Sequence, residues 1–103
     1  MEIKALEKAM HEFVKSKGWY EADSPKQQSF RNLAISLVLE SSEVLEHFQW
    51  TEELRDRDAL AGELADVLLY LLQLASLAEI DLSDAVMNKL EINYQREWDV
   101  DVK

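Results

Sequence analysis

Apolar residues recur at Ile3, Leu6, Met10, Phe13 and Val14, the spacing that turns one face of a helix toward a core. The pattern predicts an amphipathic helix over 3–16. Gly18 follows the basic residues Lys15 and Lys17 and stops it, so 19–23 is a short connection. Ser24, Pro25 and Gln27 form a second start signal: a capping hydroxyl, a proline suited to the first helical position, and an amide three residues after the cap. No breaker follows before about Trp50, so the second helix is predicted to run from this signal to there. Its segment from Leu33 to Leu39 is apolar on nearly all sides, which predicts burial all round. In so small a domain that burial needs a second subunit. Thr51 to Asp58 is polar and reads as a connection. Ala59 to Glu79, rich in Leu and Ala, predicts a long third helix. Asp81 can cap a fourth, from Leu82 to about Trp98, with Asp84 in the first turn where a carboxylate is favoured. Asp99 to Lys103 is expected to fray. The pattern predicts an all-α fold: a four-helix bundle, one domain over 1–103, completed by oligomerisation.

Composition narrows the function more than the fold. A chain of 103 residues suits a single core, and 2 Gly with 1 Pro are too few for the turns of a sandwich or barrel. At 48% hydrophobic residues the chain is no acidic disordered tail. The formal charge of −10 argues against nucleic acid and anionic membrane as partners, since both need Lys and Arg to meet phosphate. The lack of Cys excludes thiolate metal sites and cysteine nucleophiles, and His11 and His47 are too few for an imidazole-rich site. Both histidines read as surface or helix-packing residues. The N-terminal residues lack the apolar run of a signal peptide, and the Leu-rich third helix carries Glu63 and Asp66, which disfavours a membrane span. A cytoplasmic location is expected.

The acids are oddly placed. Between Arg31 and Glu52 the only Asp, Glu, Lys or Arg residues are Glu40, Glu43 and Glu46; between Asp58 and Glu79 they are Glu63 and Asp66. A solvated helix face normally mixes both signs. Glu40 and Glu43 share a helix face, and Glu63 and Asp66 repeat that spacing. If the two helices pack antiparallel, the dyads face each other. Four unpaired carboxylates in one low-dielectric place must protonate or bind a cation. A hard, oxygen-seeking ion such as Mg²⁺ meets that need, with Mn²⁺ a possible substitute. Iron fits poorly, because the second dyad has no His. Glu46 points well around the helix from Glu40.

These dyads, with the segments around them, resemble the MazG-like all-α nucleoside triphosphate pyrophosphohydrolases, a superfamily that includes dCTP pyrophosphatases. Arg31-Asn32-Leu33-Ala34 precedes the first dyad as in the family, Glu46-His47-Phe48-Gln49-Trp50 is similar to its E-x-F-Q-W segment, and Glu63-Leu64-Ala65-Asp66-Val67-Leu68-Leu69-Tyr70 to its second motif. Ile80-Asp81-Leu82, Lys89 and Asn93 fit its last helix. The resemblance spans roughly 24–97. It implies Mg²⁺-dependent hydrolysis of a (d)NTP to (d)NMP and pyrophosphate, a nucleotide-pool house-cleaning activity, in a homo-oligomer, dimer or tetramer. By resemblance Glu40, Glu43, Glu63 and Asp66 are the metal-binding and catalytic residues, one of them free to orient the attacking water. Trp50 matches a position near the base, Tyr70 lies one turn beyond Asp66, and Asn32, Lys89 and Asn93 are further substrate-binding positions. The chain departs from the family between Trp19 and Asn32, where the family's His is missing, and after Asn93, where a basic run is replaced by Tyr94-Gln95-Arg96-Glu97-Trp98. The first departure falls where relatives shape the base pocket.

Two other readings compete. The nearly all-apolar helix and the acidity also suit a non-catalytic helical interaction module, a regulator that keeps the bundle. Phosphoribosyl-ATP pyrophosphohydrolase has a related fold, but the segments above resemble it less.

Overall fold

The computed structural model describes residues 1–97, and the predicted Trp98 helix end and 99–103 tail lie outside the described residues. Four helices follow in order: α1 (Ile3–Ser16), α2 (Phe30–Glu46), α3 (Arg57–Leu77) and α4 (Leu82–Gln95), with no strand among the described residues. The all-α prediction holds, and three of the four helices start within two residues of their predicted positions.

Local chemistry sets the boundaries. α1 ends in a Schellman motif: Gly18 takes φ 71°, its N–H donates to the Lys15 carbonyl (3.0 Å), and the Trp19 N–H donates to Val14 (3.3 Å). α3 ends the same way, with Glu79 at φ 58° and the Ile80 N–H donating to the Ala75 carbonyl at 2.8 Å. A side chain with a Cβ at that left-handed position is strained. Asp56 caps α3 through the Ala59 N–H (2.9 Å), and Asp81 caps α4 through Asp84 (3.0 Å), as the sequence predicted for the latter.

The start of α2 corrects the sequence reading. Its cap is Ser29, which accepts from the Asn32 N–H (3.2 Å), not Ser24. Ser24 instead accepts from the Lys26 N–H (3.0 Å), and the Gln27 amide donates to the carbonyls of Ser24 (2.6 Å), Ala22 (3.1 Å) and Glu21 (3.4 Å). These side-chain bonds hold 24–28 as a compact loop, because they offer the backbone an alternative to helix. α2 also ends earlier, at Glu46, and 47–50 continue as turn and bend.

α1 and α2 both pack on α3, the long central helix. Met10, Val14 and Leu72 form the core between α1 and α3, closed by Ile3, Leu6, Trp19, Tyr20 and Leu82. Leu33 plugs α2 onto this frame. α4 is anchored at Leu82 and has no buried residue. By length and composition α3 could also cross a bilayer, with mean hydropathy 1.5 over its most apolar window. Here both α1 and α2 pack against it.

Much apolar surface stays uncovered. Of the segment expected to be buried all round only Leu33 is; Ile35, Val38 and Leu39 are 51%, 67% and 61% exposed. A helix apolar on all sides can turn only one of them toward α3. Val86, Met87, Leu90 and Ile92 on α4 are exposed too. The radius of gyration is 16.7 Å, against about 13 Å for a compact domain of this length.

Candidate active site

The two dyads meet across α2 and α3. His47 lies 4.0 Å from Glu63, the charges of Glu40 and Asp66 act on each other, and Asn32 and Ser36 share a cavity with Tyr70 and Gln73. Falling numbers on α2 meet rising numbers on α3, so the helices run antiparallel. Glu40, Glu43 and Glu63 each place a carboxylate oxygen within 4.8 Å of the others. Asp66 stands one turn along α3 and is more exposed; its charge reaches both Glu40 and Glu63.

Crowding shows in the ionisation of these groups. A hydrogen bond shared with Glu43, then partial burial, then the charges of Glu43, Asp66 and Glu63 push Glu40 up to about 7. Desolvation and the Glu43 charge raise Glu63, and His47 opposes them. Glu40 Oε2 is buried with no hydrogen-bond partner. A bare carboxylate oxygen among other carboxylates is a place for a cation, and an all-oxygen donor set suits Mg²⁺ or Mn²⁺. The residues present therefore fit a hard divalent ion.

Beside the acids opens a cavity of about 590 Å³ between α1, α2, α3 and the 19–29 loop. Asp66, Asn32 and Tyr70 line it, so it begins where the acids end. Its aromatic wall is Trp19, set edge-on to Phe13 (ring centroids 5.6 Å apart, 86°) and covered by the Lys26 ammonium at 4.9 Å. Asn32 is pinned by donating to the Gln27 carbonyl at 2.9 Å.

Not every predicted site residue comes to this place. Trp50 lies beyond the end of α2, 88% exposed and away from the cavity. Lys89 and Asn93 lie on α4, outside the main cavity; Asn93 lines a separate shallow one with Leu90, Tyr94 and Arg96. Residues the sequence reading passed over do line the main cavity: Gln28 and Gln73. Behind them stand Tyr20 and His11. His11, read as surface or helix-packing, bonds Tyr20 Oη (2.6 Å) and Ser76 Oγ (2.7 Å) and ties α1 to α3. Burial raises the Tyr20 phenol, and the Gln73 bond opposes it.

Residues 35–102 match the model of the MazG-like family. The chain belongs to the MazG-like family. It is 38% identical to human dCTP pyrophosphatase 1 over 94 residues and 37% identical to the mouse protein, alignments that cover 82% of this chain. The chain spans about half the length of these curated relatives, 52% of each. A shorter stretch of 38 residues is 55% identical to a dATP/dGTP diphosphohydrolase of Salmonella phage PMBT28, covering 37% of this chain and 13% of that one. Among solved structures, a pyrophosphatase from Archaeoglobus fulgidus superposes with a TM-score of 0.73 at 37% identity, covering 89% of this chain and 88% of its own. The MazG-like α-helical fold thus agrees with the helices and with the motifs that carry the dyads.

Proposed function

We propose that this MazG-like chain hydrolyses nucleoside triphosphates to the monophosphate and pyrophosphate, with Mg²⁺ held by Glu40, Glu43, Glu63 and Asp66. The observation that carries the reading is the junction of three convergent carboxylates with a base-sized apolar cavity, joined through Asp66. Neither half would bind a triphosphate alone: an acidic protein repels the phosphates, and an apolar cleft ignores them. Held by these acids, a divalent ion would supply charge neutralisation to the triphosphate during cleavage at the α-phosphorus. The protein's own share is positional. Glu40 and Glu43 come from α2, Glu63 and Asp66 from α3, so the packing of two rigid helices fixes the acid cluster. Trp19 and the apolar wall take the base, and Tyr70, on the cavity lining between Asp66 and its far end, stands where the sugar passes. The relatives named for dCTP, dATP and dGTP support a nucleotide substrate.

The working form is a homo-oligomer in this reading. The exposed apolar residues of α2 and α4 and the extended shape support it, since large apolar patches on a soluble chain mark association surfaces.

The test is a panel of NTPs and dNTPs incubated with Mg²⁺, the products resolved by chromatography. Monophosphate and pyrophosphate are expected from at least one nucleotide, and none from Glu63→Gln. No product from any nucleotide, or full activity in Glu63→Gln, refutes the reading.

A further inference from the structure

The far end of the cavity holds one polar side chain whose direction can be worked out. Gln73 is 3% exposed yet lines the cavity. Its orientation follows from its neighbours. The Gln28 Nε2 donates to the Lys26 carbonyl at 2.6 Å. A carbonyl only accepts, so the nitrogen end of Gln28 is fixed there and its Oε1 faces Gln73. Gln73 must then offer Nε2, which donates to Gln28 Oε1 (2.8 Å) and to Tyr20 Oη (3.2 Å). An arrangement that uses every proton has Tyr20 donating to His11 Nδ1, and His11 Nε2 donating to Ser76. Both amide protons of Gln73 are spent. What it has left for the cavity is Oε1, an acceptor.

This amide cannot turn over as a free glutamine does. Reversing it would break the bond to Gln28 and set its oxygen against Gln28 Oε1. Gln73 also lies seven residues after Asp66 on α3, the same helix face, about 10.5 Å along the axis. A nucleotide with its phosphates at the acids would point the far edge of its base at Gln73. In a pyrimidine that edge carries the 4-substituent, opposite the sugar-bearing nitrogen; in a purine it carries the 6-substituent. An amino group there donates to Gln73. A keto oxygen meets it acceptor to acceptor.

We propose that Gln73 is the base-selecting residue of the cavity, a fixed carbonyl that favours 4-amino pyrimidines and 6-amino purines over their keto counterparts. The proposal rests on the nucleotide pyrophosphohydrolase reading above. Two matched pairs test the feature: dCTP against dUTP, and dATP against dITP, each differing at that substituent and in the proton on the ring nitrogen beside it. The wild-type protein with Mg²⁺ is expected to prefer the amino member by ~10- to ~100-fold in kcat/KM, the cost of an unmade bond and a buried clash of acceptors. Gln73→Leu, and the near-isosteric Gln73→Met, are expected to bring both ratios within about threefold, mainly through KM. Tyr20→Phe frees one amide proton and is expected to give intermediate ratios. Wild-type ratios near one, or an equal fall for both members of each pair in the folded variants, overturn the proposal. Calorimetric titration with dCMP and dUMP separates the two readings. Hydrolysis without an amino preference refutes Gln73 alone. Binding of dCMP over dUMP without hydrolysis refutes the enzyme reading and keeps Gln73. Equal binding of both without hydrolysis refutes both.

Discussion

Replacing Glu40 by Gln should stabilise the metal-free protein while weakening its response to metal. The wild-type carboxyl is held at about 7 in the fold against 4.5 for a free glutamate. Below pH ~4.5 both folded and unfolded chains carry the proton, and the charge costs nothing. Between ~4.5 and ~7 the folded state binds more protons than the unfolded one, so stability falls as pH rises, and above ~7 the loss is complete. The gap between about 7 and 4.5 sets a ceiling of about 3.4 kcal/mol. Glu40 is only partly shielded, and partly solvated charges realise about 0.5–1 kcal/mol of such a figure. Glu40→Gln keeps the shape and removes the charge. Its metal-free Tm at pH 8 should exceed the wild type's by roughly 3–6 °C, and the two should coincide at pH 4. With Mg²⁺ the order should reverse at pH 8, because the wild type gains binding energy that the variant has lost. The assay is thermal melting at pH 4, 6 and 8, with chelator and with Mg²⁺. A variant less stable than wild type in chelator at pH 8, or one with an undiminished Mg²⁺ shift, would refute the argument from crowded carboxylates.

Three further outcomes are expected. Leu72→Ala, at a side chain with no exposed surface, should cost about 3 kcal/mol by urea denaturation, and a cost under 1 would mean that α1 does not close on α3 as described. Glu79→Gly should raise stability by about 0.5–1 kcal/mol by relieving the left-handed position at the end of α3, and a loss would count against that conformation. If the proposed homo-oligomer forms through α2, the wild type should scatter light as more than one chain and Val38→Glu with Leu39→Glu as a single chain; a wild type of one-chain mass, or a variant of unchanged mass, would refute that.

The helices were legible because their signals are local. Periodicity marked α1, the Asp81 cap opened α4, and the acids stood out on α2 and α3 because i,i+3 carboxylates have no business in apolar sequence unless something pairs them. The 24–28 loop misled for an equally local reason. Ser24, Pro25 and Gln27 suit a helix start, but the Gln27 amide can also satisfy three carbonyls of a turn, and there it does. Gln73 was not legible at all. A glutamine inside a Leu-rich helix carries no mark of direction, and its meaning comes from Gln28 and Tyr20, far away in sequence. Trp19, which follows α1 as the family's Trp does, is held against the cavity by Phe13 and Lys26.

Carrying Glu63, Asp66, Tyr70 and Gln73 on one uninterrupted helix makes α3 a rigid gauge between the acids and the far end of the cavity. An inserted residue between 66 and 73 would swing Gln73 by about 100° and lengthen the gauge by about 1.5 Å. Change by insertion is therefore closed to this segment. Single substitutions at position 73, or any remodelling of the 19–29 loop, leave the spacing intact. If the proposed roles hold, the fold separates what a lineage can alter cheaply, the choice of base, from what it must keep in register, the acids on their two helices. Engineering a new base preference should begin at those sites and leave the length of α3 alone.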